Sequence, residues 1–357
     1  MTLPLVLLTL CSPGLPPALA DDTKAMAGPT EPVEASGRFS TAEDTGLVEG
    51  SFRIDRGEEV SLWIPPGEML EFRVDVDLGV IGDASVGEVT MSSGLEPFVA
   101  GLPVPGQKLD RDGKLVAWTR ITAEGGHLGY ELEHSITTRF LPQSWPSQIN
   151  TEVQKGSENR RRELKIGVRE GKWSSSYRGD GHCRGCERRE HFVKSSLPWG
   201  DDHHCKKCKR GEHRLWRTPV EAEVPEQSID ILGAVYLARS LVREGHEELE
   251  LSMLQHDDLW KVTLKQGVLK PIAVKAGTYS CRQVVLEVQA PEGREGKAAR
   301  FSGLFGIRGA LQIWLHEGTG VPVLIEGDVP LGDLLELHVS VRLAKHRGTP
   351  EAFQGVR

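Results

Sequence analysis

From about residue 61 onward the chain is written in short runs in which apolar and polar residues alternate. Leu70-Glu-Phe-Arg-Val-Asp-Val76, Gly87-Glu-Val-Thr-Met91, Leu115-Val-Ala-Trp-Thr-Arg-Ile121, Tyr130-Glu-Leu-Glu133 and Glu163-Leu-Lys-Ile-Gly-Val168 all have the two-residue period of strands with one face buried. One stretch breaks the pattern: Ile231, Leu232, Val235, Tyr236, Ala238 and Val242 recur at helical spacing up to Gly245. This predicts one helix over about 229–244, with Ser228 as its N-cap. Alternation then resumes in 248–253, 259–264, 282–288, 310–315, 321–326 and 334–341. Many short strands and a single helix predict a mainly β protein, a curved antiparallel sheet or half-barrel, with no repeat of fixed period.

The ends of the chain read differently. Leu3 to Leu10 is an apolar run followed by several prolines and by Ala18-Leu-Ala20, the pattern of a secretory signal peptide cleaved after Ala20. The run is too short to span a bilayer, so the mature chain is expected to carry no transmembrane span and to be periplasmic or otherwise exported. Residues 21–60 are small, polar and punctuated by Pro and Gly, a flexible leader. The predicted organisation is then signal peptide 1–20, leader 21–60, a discontinuous β-rich domain over 61–175 and 218–345, a cysteine-bearing insert over 176–217, and a tail over 346–357.

The strand and helix motifs also carry a family resemblance. Pro66-Gly-Glu-Met-Leu-Glu-Phe-Arg-Val74, Ile231 to Arg239, Ala276-Gly-Thr-Tyr279, and Phe305 to Leu315 running into Pro322 to Gly332 resemble, in that order, the exported bacterial family catalogued as domain of unknown function 3108. The resemblance covers about 66–345 and implies a β-rich cell-envelope protein of unassigned activity. The segment 176–217 lies outside the family pattern and reads as an insertion.

That insertion holds the chain's main chemical signature, two Cys-x-x-Cys pairs, Cys183/Cys186 and Cys205/Cys208. Two intervening residues let one turn aim both sulfurs at one ion, and two facing knuckles complete a tetrahedron, the pattern of a structural four-thiolate zinc ribbon. Gly185 and Gly211 are placed to supply loose backbone at the turns. Export favours disulfides instead, and both readings stay open at this point. Cys281, within a strand-like run, reads as a small buried side chain. His182 and His204 are candidates for hydrogen-bond partners of the thiolates, with His191, His203 and His213 nearby.

Charge is unevenly distributed. The formal net charge is −8, yet residues 155–217 contain eighteen Lys and Arg against nine Asp and Glu. Arg184, Arg188, Arg189, Lys206, Lys207, Lys209 and Arg210 surround the cysteines, as charge compensation for a four-thiolate centre or as contacts to an anionic partner. Export argues against nucleic acid as that partner and for an envelope lipid, glycolipid or protein.

Catalytic templates fit poorly. His246-Glu-Glu-Leu-Glu250 and His316-Glu-Gly-Thr-Gly320 begin like zinc-protease helices but lack the second histidine. No G-x-S-x-G elbow or phosphate loop is present. Trp118, Trp145, Trp260 and Trp314 are expected in the core, with the alternative that they wall an apolar concavity open to a lipid chain. The expectation is an exported, non-enzymatic binding or envelope-assembly module with a structural zinc. An envelope-polymer hydrolase using sheet carboxylates and a purely structural scaffold are the alternatives.

Overall fold

A computed structural model describes residues 50–53, 59–77, 79, 82–97, 115–127, 130–141, 145–156, 159–188, 205–209, 211–289, 301, 303–304, 307–331, 335–353 and 355. The predicted signal peptide and most of the predicted leader lie outside these residues. The strands are β1 (Gly50–Arg53), β2 (Glu59–Leu62), β3 (Met69–Asp77), β4 (Asp83–Pro97), β5 (Leu115–His127), β6 (Tyr130–Phe140), β7 (Gln148–Gly156), β8 (Arg160–Arg169) and β9 (Lys172–Gly181). Two single helical turns follow, α1 (Arg184–Glu187) and α2 (Lys206–Lys209), then the short strands β10 (Leu215–Trp216) and β11 (Val220–Glu223). Helix α3 (Ile231–Glu244) leads into β12 (Glu248–Gln255), β13 (Asp258–Val274), β14 (Gly277–Gln289), β15 (Arg308–His316), β16 (Pro322–Leu331) and β17 (Leu335–Arg347).

Apart from the β1–β2 hairpin, all the strands belong to one fifteen-stranded antiparallel sheet. β3 to β9 form one meander and β12 to β17 a second, and the two join where β17 pairs with β3, from Val339 opposite Val76 to Arg347 opposite Met69. The sheet curls until its far ends approach each other. His256, in the β12–β13 turn, lies 2.6 Å from Arg162 of β8 and packs against Tyr177 of β9. Leu164, Ile166 and Leu254 form a small apolar cluster across the same junction. The expected curved antiparallel sheet with one helix is therefore the architecture observed.

Helix α3 fills the inside of the curve. Leu232 to Val242 are all buried, and its apolar residues share one core cluster with Leu70 and Phe72 of β3, Met91 of β4, Val262 of β13 and Val341 of β17. A stretch buried on every side needs this enclosure, because from Leu232 to Val242 even the polar side chains, Arg239 and Ser240, are withheld from water. Its N-cap is Asp230 and not the expected Ser228. The Asp230 carboxylate accepts from the Gly233 N–H at 2.8 Å, whereas Ser228 turns back to the Pro225 carbonyl because Ile229 bridges to Met253. Asp230 also accepts from Asn150 at 2.7 Å and from Thr138, tying the helix start to β6 and β7. Gly245 closes the helix in the left-handed conformation, φ 76°.

One ion pair lies inside this core. Arg239 of α3, fully buried, makes a two-pronged bond to Glu68 at 2.6 and 2.9 Å and packs its guanidinium over Trp63 and Tyr236. Trp145, Trp260 and Trp314 are buried as expected, while Trp118 is half-buried beneath Arg120. Strands β7 and β9 had no clear sequence signal. Gln-Ile-Asn-Thr-Glu-Val-Gln and Lys-Trp-Ser-Ser-Ser-Tyr-Arg are mostly polar and half-buried, and of β9 Trp173 and Tyr177 pack against the small Leu164, Ile166 and Leu254 cluster.

Candidate metal centre and the cleft beside it

β9 and β10 carry the chain out of the sheet into the cysteine knuckles and back, with Gly181 opposite Leu215 and Asp180 opposite Trp216. The four thiols converge there: the Sγ atoms of Cys183, Cys186, Cys205 and Cys208 all lie within 4.8 Å of one another. Cys186 and Cys208 are buried, Cys183 and Cys205 half-buried. A tetrahedral site with zinc–sulfur bonds of about 2.3 Å places its sulfurs about 3.8 Å apart, so this spacing fits one ion. All five described cysteines are free, the fifth being the fully buried Cys281.

Backbone amides face the sulfurs. The N–H of Cys183 donates to Cys208 Sγ at 3.1 Å, that of Cys205 to Cys186 Sγ at 3.2 Å, and that of Cys208 to Cys205 Sγ at 3.4 Å. Two of these bonds run between the knuckles, so each knuckle helps to fix the other. Gly211 adopts φ 74° and its N–H returns to the Cys208 carbonyl, closing the second knuckle. Gly185, in contrast, sits in the helical turn α1 and its permissive backbone is not called upon.

The electrostatics of the group separate its members. Burial pushes the Cys208 thiol up to about 12 and raises Cys186 as well. The Cys208 N–H draws Cys205 down to about 7 against the opposing effect of burial, helped by His213. Soft donors held this close, two of them resisting ionisation through burial, match a divalent ion whose charge favours the thiolate form. An ion held by all four sulfurs would have no position left for water or substrate, so the chemistry such an ion would supply there is structural.

The predicted neighbours divide. His213 reaches a cysteine, its Nε2 2.9 Å from Cys205 Sγ. His182 lines a cleft beside the knuckles, and His204, with His191 and His203, lies outside the described residues. Arg184, Arg188, Lys206 and Lys207 are exposed around the cluster. Lys209 belongs to α2, and Arg189 and Arg210 lie outside the described residues.

The cleft was not anticipated. It measures about 430 Å³ and is lined by Arg160, Arg161, Arg162, Arg178, Arg214 and Arg217, with Asp180 and Asp257 as its lining carboxylates. It forms where β9 exchanges one partner for another, β10 at Asp180 and β11 at Tyr177, leaving residues 217–219 to arch over the gap. The sequence signal was the triplet Arg160-Arg-Arg162, visible as charge and attributable to the sheet only once β8 was in place.

Beneath the cleft, Glu152 of β7 gathers arginine and histidine side chains. His134 is 3.1 Å away, Arg162 3.1 Å, Arg160 3.6 Å and His256 3.7 Å. Burial alone would raise its carboxyl, but hydrogen bonds from His134 and His256 and the charge of Arg162 hold it well below the usual carboxylate range. Asp230 moves the other way, raised by burial, and its oxygens are engaged in capping α3.

No family model matches the sequence, and no curated protein does. Two solved structures are similar. One, from Brucella abortus, is described as a beta-barrel-like protein of domain of unknown function 1849, with 8% identity, coverage of 79% of this chain and 97% of that one, and TM-score 0.43. The other, described as a "putative lipoprotein" from Parabacteroides distasonis, has 8% identity, coverage of 79% and 95%, and TM-score 0.28. Likeness at this level says nothing of what the chain binds or does.

Proposed function

We propose that the protein is a non-enzymatic binding module of the cell envelope, built on a helix-filled curved sheet, whose cysteine knuckles hold one structural zinc. The observation that carries this reading is the convergence of Cys183, Cys186, Cys205 and Cys208 within 4.8 Å, with backbone amides donating to three of the sulfurs. Zinc suits four sulfurs in a tetrahedron because it has no competing geometric preference and tolerates thiolate charge. Its role here is to order a polar segment that brings too little apolar surface to fold by burial. Export is supported by the signal-peptide pattern of residues 1–20, and membership of domain of unknown function 3108 by the motifs between residues 66 and 332. Among the described residues no helix is long and apolar enough to cross a membrane, which leaves strands unaddressed.

The binding surface is assigned to the knuckle side of the sheet and not to its concave face. Helix α3 and the core residues occupy the concavity, and the described cavities are lined largely by charged and polar side chains. Intact mass under native and denaturing conditions, combined with thiol counting on the exported protein, tests the metal. One zinc predicts a gain of one zinc mass natively and five reactive thiols once denatured, matching the five free cysteines. A mass four hydrogens short, with a single reactive thiol, would replace the metal by two disulfides.

A further inference from the structure

The arginine cleft is distinct from the cysteine cluster in chemistry, although the two share a wall: His182 precedes Cys183, and Arg214 follows the His213 that touches Cys205. Six arginines line it against two carboxylates. The carboxylates that meet these arginines are shared and do not neutralise them one for one. Asp180, with 4% of its side chain exposed, serves both Arg214 at 3.3 Å and Arg161 at 3.6 Å. Glu152 is divided between Arg160, Arg162 and two histidines. Glu163 lies 2.8 Å from Arg178 and 3.4 Å from Lys165. Among the described residues, five cleft arginines thus share Asp180, Glu152 and Glu163, with Asp257 as a further lining carboxylate and Arg217 as a sixth positive charge.

Like charges packed around a cavity repel one another unless something negative enters. A second observation points the same way. Arg214 reaches Asp180 through one Nη, while its Nε is buried and has no hydrogen-bond partner among the described residues. Leaving a guanidinium N–H buried without an acceptor is costly. Trp216, 39% exposed on the edge strand β10, lies under the guanidinium groups of Arg161 and Arg178, 4.8 and 4.6 Å from the ring centre. Stacking of this kind holds long flexible side chains in place before a ligand arrives and reduces the entropy lost on binding.

We infer that this cleft is a binding site for a phosphoryl-bearing anion, a phosphate monoester or diphosphate group. A guanidinium presents paired N–H donors that match two oxygens of a tetrahedral oxyanion, and several such forks require a ligand with more than one negative charge. A single carboxylate cannot satisfy that many. The cleft volume, about 430 Å³, takes a diphosphate together with part of what it is attached to. The inference rests on the proposed binding role, and on the zinc only through His182 and Arg214; the arginines of β8 and β9 are fixed by strand pairing.

The test is a calorimetric titration of the full exported chain with sodium pyrophosphate. Saturable binding is expected, weakening as salt is raised. Arg161→Gln and Arg217→Gln, chosen because both side chains are largely exposed and tolerate change, should each weaken it about 10-fold. Lys206→Gln with Lys207→Gln, on the knuckle outside the cleft, should leave it unchanged. Thermal melting of each variant confirms that the fold is retained. Absence of pyrophosphate binding, or equal weakening by the lysine pair, overturns the site in favour of diffuse charge attraction. A second arm uses vesicles containing phosphatidic acid: binding that pyrophosphate displaces identifies a lipid headgroup as the source, and pyrophosphate binding with no vesicle binding identifies a soluble phosphate. Zinc content measured on the same preparations separates the two proposals. Zinc-loaded protein that ignores pyrophosphate removes only the anion site, and zinc-free protein that binds it removes only the metal.

Discussion

The surroundings of α3 and the knuckle-bearing edge of the sheet are ordered by opposite means. Around α3, eleven consecutive residues are buried among aliphatic and aromatic side chains, and the one charge carried inward, on Arg239, is met by Glu68. At the edge, β9 to β11 bury little: Leu215, Trp216 and Val220 are exposed, and order comes from converging sulfurs and crowded guanidinium groups. Apolar burial is non-directional and makes a rigid interior with no vacancy for a ligand. Charge and thiol clusters are directional and incomplete without a counter-ion. Under the proposed function, the contrast places stability in one region and recognition in the other.

The largest effect is expected where a charge is stranded in the core. Glu68→Gln leaves Arg239 buried without its counter-charge and should cost about 3–5 kcal/mol in denaturant unfolding. A loss below ~1 kcal/mol would mean that the interior admits water and would erase the contrast. Leu237→Ala, at a fully buried position on α3, should cost about 3 kcal/mol through lost transfer energy and the cavity left behind.

Metal removal sharpens the comparison from the other side. With zinc chelated, amide hydrogen exchange should rise across the knuckles and β10, while α3 keeps its protection. Simultaneous loss of protection in both would show that the two regions unfold as one unit.

Acid should act first at the edge. Glu152 has a lower pKa folded than unfolded, so the unfolded chain binds the proton more readily. Its contribution is complete above its ordinary value of 4.5 and is lost as pH falls from there through the folded pKa. Glu152→Gln should therefore flatten the acid limb of the stability profile, and an unchanged limb would remove this carboxylate from the account. The smallest change is Gly211→Ala: φ 74° and an Asn159 Cβ only 3.2 Å from the added methyl predict a loss of about 1 kcal/mol, confined to the knuckle and read by thermal melting.

Legibility followed the same division. Alternation in Leu70–Val76 and the helical spacing of Ile231–Val242 are produced by burial, so they appear in the sequence as periods of two and 3.6. The helix cap was misplaced by two residues because Ser228 and Asp230 are both good caps, and the choice between them depends on Ile229 bridging to Met253. His256 sits in an ordinary turn between β12 and β13, but the turn also delivers it to Glu152 and Arg162 from the far end of the sheet. That His213 meets the Cys205 thiol had no basis in spacing alone.

The sequence by itself determined the β-rich class, the single buried helix and the four sulfurs of the candidate metal centre, because each follows from local periodicity or from ligand spacing within one segment. Tertiary structure alone decided that the concavity is filled, and that the arginines of β8 and β9 meet those of the segment after the knuckles around one cleft. Those outcomes depend on strand register and on curvature that brings distant residues together, and neither leaves a local trace in the chain.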